Sequence, residues 1–180
     1  MISKNILEII KMSLTIREIN LAYKKDLKEF IELPWTLYKN DPHWVPPFKM
    51  AVKDLLNQKN HPFYETASVK AWLAELDGLV VGRIMAINNH AFNKYQNNKV
   101  GFFGFYEAID NVEVANLLIT TAKKALKDQG LSSIQGPMNP GTNYECGLLV
   151  DRFDDAPQIM MTYNPPYYVN QLEHLGFSKA

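Results

Sequence analysis

Val69-Lys-Ala-Trp-Leu-Ala-Glu-Leu-Asp-Gly-Leu-Val-Val-Gly-Arg-Ile-Met-Ala-Ile87 decides the fold. Two mostly apolar runs flank Asp77-Gly78. A two-residue hairpin loop of type I′ needs positive φ at both central positions, and Asp-Gly adopts that geometry at little steric cost. Residues 69–76 and 79–87 are therefore antiparallel neighbours in a sheet. Outward from this hairpin, residues 100–107 read as a third strand carrying Phe102, Phe103, Phe105 and Tyr106. Asp110 or Asn111 then caps a helix with the apolar stripe Val112, Ala115, Leu118, Ile119, Ala122 and Leu126. Lys123, Lys124 and Lys127 suit its C-terminal end, and Gly130 can close it in the left-handed conformation.

Upstream, residues 13–19 alternate as a half-buried first strand does. Asn20 is placed to cap a helix carrying Leu21, Leu27, Phe30 and Ile31, which Pro34 interrupts or ends. Asp41-Pro-His-Trp-Val-Pro-Pro47 is a rigid aromatic loop, and a short helix with Met50, Val52, Leu55 and Leu56 follows. Downstream, residues 132–136 form a short strand, and residues 159–163 read as a further strand after a long loop. Asn164 caps a last helix with Pro165 at its first position, Tyr168, Leu172 and Leu175 on one face, and Gly176 at its end. No Pro/Gly/Ser linker divides the chain. Residues 13–180 read as one domain and residues 1–12 as a loose leader.

A chain of 180 residues with zero formal net charge creates no global field toward nucleic acid or anionic lipid. No apolar stretch reaches the length of a membrane span. The single cysteine, Cys146, makes no intrachain disulfide and suits a reducing cytoplasm. It has no identifiable nucleophile partner set, which predicts a buried or inert thiol. His43, His61, His90 and His174 lack metal-ligand spacing, so no metal site is expected. Gly101-Phe-Phe-Gly104 sits inside a strand, where glycine permits close backbone approach, and is not a nucleotide loop. Without basic interleaving, its aromatics read as core and not as a platform for bases.

The order of elements resembles the GNAT superfamily of acyl-CoA-dependent acyltransferases. Residues 72–83 resemble the family's second and third strands with their hairpin. The strand ending at Glu107 and the helix after Asp110 resemble its central strand and cofactor-binding helix. Tyr168-Val-Asn-Gln-Leu-Glu-His-Leu-Gly-Phe177 resembles its late helix. Leu33-Pro-Trp35, Gly101-Phe-Phe-Gly-Phe105, Gly136-Pro137 and Tyr163-Asn-Pro-Pro-Tyr-Tyr168 are similar to the amino-terminal part of longer bacterial GNAT-like proteins. The resemblance implies an α/β (α+β) fold: a mixed, mostly antiparallel central sheet flanked by helices, lacking its last strand or strands here. It also implies a partner, either a C-terminal domain or a second copy in a homodimer.

The same resemblance implies an enzyme that moves an acyl group from acetyl-CoA or another acyl-CoA to an amine. A cofactor pyrophosphate would rest on backbone N–H groups at the helix start, so Asn111, Val112 and Ala115 are the candidate cofactor residues. A splay beside the central strand would expose backbone groups to the acyl thioester. Of the family's phosphate pattern only Ala115 is present, and Asp110 and Glu113 suit a capping arrangement instead. A unit charge about 5 Å from a phosphate charge of like sign costs roughly 3 kcal/mol at an effective dielectric near 20. Glu107 stands where the family places a general base; the alternative is a solvated strand-end carboxylate. The family's acid tyrosine position is Leu172 here. Tyr168, one turn earlier, either substitutes for it or packs in the core. Trp35, Asn143 and Glu145 are candidate contacts for a small-molecule substrate, although the loop 139–147 also reads as one stitched by its own hydrogen bonds. A non-catalytic GNAT-like half that binds another small molecule or supports a partner domain is the competing function.

Overall fold

Asp77 and Gly78 have φ of +50° and +81°, the geometry of the expected type I′ turn. A computed structural model of the chain describes residues 13–179; the leader assigned to residues 1–12 lies outside them. The turn joins β2 (Ala67–Leu76) to β3 (Leu79–Asn89), the longest pair of a five-stranded sheet. The sheet order is β1-β2-β3-β4-β5, with β1 (Leu14–Ile19), β4 (Val100–Ala108) and β5 (Ser133–Gln135). All pairs are antiparallel except β4 with β5, so the sheet is mixed and mostly antiparallel.

Helix α1 (Lys24–Leu37) and α2 (Lys49–Leu55) cover one face, where Phe30, Leu73, Met85, Ile87, Phe102 and Phe105 are buried. The short α3 (His90–Gln96) follows β3; Asn89 caps it by accepting the Phe92 N–H at 2.9 Å. Helices α4 (Val112–Lys127) and α5 (Tyr167–His174) cover the other face against Trp72, Ile84, Phe103 and Tyr106. α3 was not expected, because seven residues are too few to show a helical period.

Four local expectations change. Asn20 does not cap α1; its side chain accepts the Ala22 N–H in a turn, and the helix begins four residues later. Pro34 neither breaks nor ends α1, which runs through it to Leu37. A proline inside a helix leaves the carbonyl four residues earlier without its N–H. That carbonyl, on Phe30, accepts Arg83 Nη1 at 2.5 Å instead. Residues 159–163 are not a strand. They turn on themselves, with Met161 N–H to Gln158 O at 3.0 Å, and leave Ile159 95% exposed. An apolar run becomes a strand only where a sheet edge offers it backbone partners. Asn164 does not cap α5 either; it is buried and bonds both backbone groups of Leu149 at 2.8 and 3.2 Å.

β4 carries one extra residue. Between the pairs Met85↔Gly104 and Arg83↔Glu107 it advances three residues while β3 advances two. This is a β-bulge, and Phe105 within it has φ +49°. Val100 and Phe102 face α1, but beyond the bulge the parity reverses. Tyr106 and Ala108 face α4, and Glu107 pairs with Arg83 on the α1 side.

The chain leaving β5 then crosses the β4 edge so closely that a methyl group at Gly104 would overlap the Met138 carbonyl. Gly104→Ala should therefore lose about 3 kcal/mol of stability by urea denaturation, the upper range for an overpacked site.

Candidate active site

A buried arginine inside an otherwise apolar strand demands a counter-ion, and Arg83 has one across the sheet. Its Nη2 lies 3.4 Å from Glu107 Oε1, its Nη1 is held by Phe30 O, and its guanidinium stands 5.0 Å from the centre of the Phe30 ring. Nε finds no partner among the described residues. The other carboxylate oxygen of Glu107 accepts two phenol protons, from Tyr38 at 2.5 Å and Tyr168 at 2.8 Å. Tyr38 stands just past the end of α1, and Tyr168 lies in the first turn of α5.

The end of β4 positions α5. Tyr168 Oη accepts the Ala108 N–H at 2.8 Å, Tyr167 donates to Ala108 O at 2.9 Å, and Gln171 joins Tyr106 to Ile109 O. The proton order follows from these bonds: Tyr168 receives from the backbone and gives to Glu107.

Burial is the largest influence on every group. It raises the Glu107 carboxyl above its usual value near 4.5, against the opposing pull of Arg83 and the two tyrosines. It lowers Arg83, and raises Tyr38 and Tyr168 well above 10, with the Glu107 charge adding to the rise. The Glu107 side chain is 13% exposed, so it still reaches a cavity of about 610 Å³. Trp44, Val45 and Pro47 form one wall, with Val52 and Leu55 of α2. Asn143, Tyr144 and Glu145 form another, from a small hairpin over residues 137–147 closed by Asn139 N–H to Glu145 O and Gly147 N–H to Pro137 O. Glu145 is also raised by burial. His61 Nδ1 accepts the Phe63 N–H at 3.3 Å, which leaves Nε2 to meet Tyr144 Oη at 3.0 Å.

Two bacterial relatives share sequence with the chain. Protein YghO of Escherichia coli (strain K12) is 38% identical over 157 residues, 87% of this chain and 40% of that protein. The bacterial ceramide synthase of Caulobacter vibrioides (strain NA1000 / CB15N) is 37% identical over 156 residues, 86% of this chain and 41% of that protein. The chain thus spans about two-fifths of the length of the curated relatives it matches. No protein-family model matches it. Among solved structures, a tandem GNAT protein from the clavulanic acid biosynthesis pathway aligns with a TM-score of 0.58 at 9% identity, over 91% of this chain and 43% of that one. An aminoglycoside acetyltransferase from an uncultured soil metagenomic sample, in complex with sisomicin, aligns at 0.54 and 14% identity, over 93% and 90%. The fold is that of the GNAT superfamily.

On this GNAT fold the sequence candidates divide. Glu107 and Tyr168 are in contact, and Asn143 and Glu145 line the same cavity. Trp35 does not line it; it packs edge-on behind Trp44 at 5.3 Å. Asn111, Val112 and Ala115 do not line the cavity, and they are not arranged as a GNAT phosphate cradle. Asn111 Oδ1 accepts the Glu113 and Val114 N–H groups at 2.8 and 3.2 Å, Ala115 is fully buried in the core, and Val112 is exposed. The cap on α4 is therefore the Asn111 amide, not a carboxylate of Asp110 or Glu113. The splay beside β4 is closed as well, with Phe103 O and Phe105 N–H taken by Met138 N–H and Asn139 Oδ1. The residues present do not fit an acyl-CoA lying along β4 with its pyrophosphate on α4.

Arg83, Tyr38, Trp44, His61 and Tyr144 were missed. Arg83 alone carried a signal, a cation at an inward position of an apolar strand. Cys146, expected buried or inert, is exposed. No helix among the described residues is long and apolar enough to cross a membrane.

The raised Glu107 value has a consequence for stability. The native state keeps this proton to higher pH than the unfolded chain does, so its contribution is full below about 4.5 and falls as pH climbs through the raised value. Urea denaturation at several pH values should show the wild type losing stability relative to Glu107→Gln as pH rises from 4.5 toward neutrality. A constant difference would place the Glu107 pKa at its unfolded value.

Proposed function

We propose that this domain transfers an acyl group to the nitrogen of an amine carrying a long apolar tail, with Glu107 as the general base. The observation that carries the proposal is a buried, doubly hydrogen-bonded carboxylate with raised proton affinity, opening onto a largely apolar cavity. The amine nitrogen attacks the acyl carbonyl, a C–N bond forms, and the nitrogen's proton passes to Glu107. The bond from the acyl carbon to the leaving group breaks with its electron pair, and Tyr168 is the acid that protonates the leaving group. Glu107 then returns the proton along the 2.8 Å hydrogen bond to Tyr168.

Three further observations support the substrate class and setting. Val45, Val52, Leu55, Leu148 and Met160 suit an alkyl tail better than a sugar or peptide. One relative is named a ceramide synthase, and ceramide is an N-acylated long-chain amino alcohol. CoA is present in a solved aminoglycoside N-acetyltransferase of this fold, which favours an acyl-CoA as donor. The lone, exposed Cys146 is in keeping with the cytoplasm.

A second reading, a GNAT-like half that binds a small molecule or supports a partner domain without turnover, is favoured by the closed β4 edge. The two separate in one assay: sphinganine with octanoyl-CoA, scored for amide by mass spectrometry. Transfer predicts amide formation that Glu107→Gln slows about 100-fold or more while sphinganine affinity is nearly unchanged. Sphinganine binding without amide would leave only the second reading. Tyr168→Phe removes a hydrogen bond that lowers the Glu107 pKa, so the acid limb of its pH–rate profile should move to higher pH.

A further inference from the structure

We infer that the β4 edge beside the bulge is a closed joint in this chain, and that the acyl donor reaches Glu107 from the cavity mouth instead. The second half rests on Glu107 being the transfer site; the first does not.

Parallel pairing of β4 with β5 stops at Phe102↔Gln135. From there a splayed strand would offer Phe103 O and the bulge N–H of Phe105 to an extended ligand. Both are already used. Met138 N–H donates to Phe103 O at 2.8 Å, and Asn139 Oδ1 accepts the Phe105 N–H at 2.5 Å. Asn139 is held at its other end too, with Nδ2 3.4 Å from Glu145 Oε2. The crossing is made at backbone distance on both sides: a methyl at Gly104 would overlap Met138 O, and one at Gly136 would overlap Phe103 O. Such packing leaves no gap to widen by a side-chain rotation. A ligand along β4 would have to displace two hydrogen bonds made by the chain's own hairpin and separate two backbones in contact.

The same hairpin turns its other side to the cavity, where it supplies Asn143, Tyr144 and Glu145. One segment thus seals the strand edge and builds a cavity wall, and the close crossing requires glycine at both 104 and 136. Among the lining residues Val45, Pro47, Met160 and Met161 are exposed, Val45, Met160 and Met161 by more than half, so the cavity mouth is apolar there and accessible to an acyl chain.

Amide hydrogen exchange by NMR tests the joint in the unaltered protein, with millimolar octanoyl-CoA as the probe and sphinganine present. The Phe105 and Met138 amides should keep their protection within about twofold when the donor is added. A loss of protection of about tenfold or more at Met138 would overturn the inference, because it would mean that the hairpin leaves the strand. Amide product in the same sample reports separately on the transfer reading. Product with an undisturbed joint supports both statements; no product with an undisturbed joint removes the transfer reading and leaves the closed edge standing.

Discussion

The bulge at Phe105 is the constraint on which the rest of the site depends. One extra residue in β4 reverses which face every later side chain occupies. Without it, Glu107 would stand opposite Gly82 and face α4, and Arg83 would pair with Tyr106. With it, the carboxylate and the guanidinium share one face beneath α1, within reach of Tyr38 and Tyr168. A non-glycine residue at positive φ costs on the order of 1–3 kcal/mol and persists only where its surroundings hold it. Here Asn139 binds its N–H, while Phe30 packs against its ring and the Arg83 guanidinium stacks over it.

Arg83 is held by a second, independent device. Pro34 lies inside α1 and donates no N–H, which frees Phe30 O for the guanidinium. The helix keeps its course because the missing donor is replaced from the sheet. The residue that looked like a helix breaker is thus part of what fixes the arginine. Burying this ion pair is costly, and its balance tips Glu107 toward holding its proton, the property a base needs if it is to accept one near neutrality.

The hairpin over residues 137–147 has two faces with different consequences. Against β4 it consumes the backbone groups that GNAT folds are expected to offer an acyl thioester. Against the cavity it presents Asn143 and Glu145, two of the contacts expected from sequence. The reading of that loop as stitched by its own hydrogen bonds holds, and the same loop lines the cavity. At α4 the outcome is different: Asp110 and Glu113 were legible as obstacles to a phosphate, but the N–H groups are taken by the Asn111 amide and not by a carboxylate.

The amino-acid sequence by itself determined the elements whose cause is local. The Asp77-Gly78 hairpin, the cap of α4 and its stripe from Ala115 onward (Val112 is exposed and Val114 buried instead), the aromatic strand and the Gly176 stop each depend on residues a few positions apart. It also carried Glu107 and Tyr168, through the order of those elements. Only the tertiary structure decided which face Glu107 occupies, that Arg83, Tyr38 and Trp44 join it, and that the strand edge is closed. The reason is physical. β4 is buried on both faces, so its side chains show no alternation, and a one-residue bulge leaves no trace in such a run. The same holds for the run Ile159 to Met161, whose apolar character fits a strand and an exposed turn beside the cavity equally well until a backbone partner is present or absent.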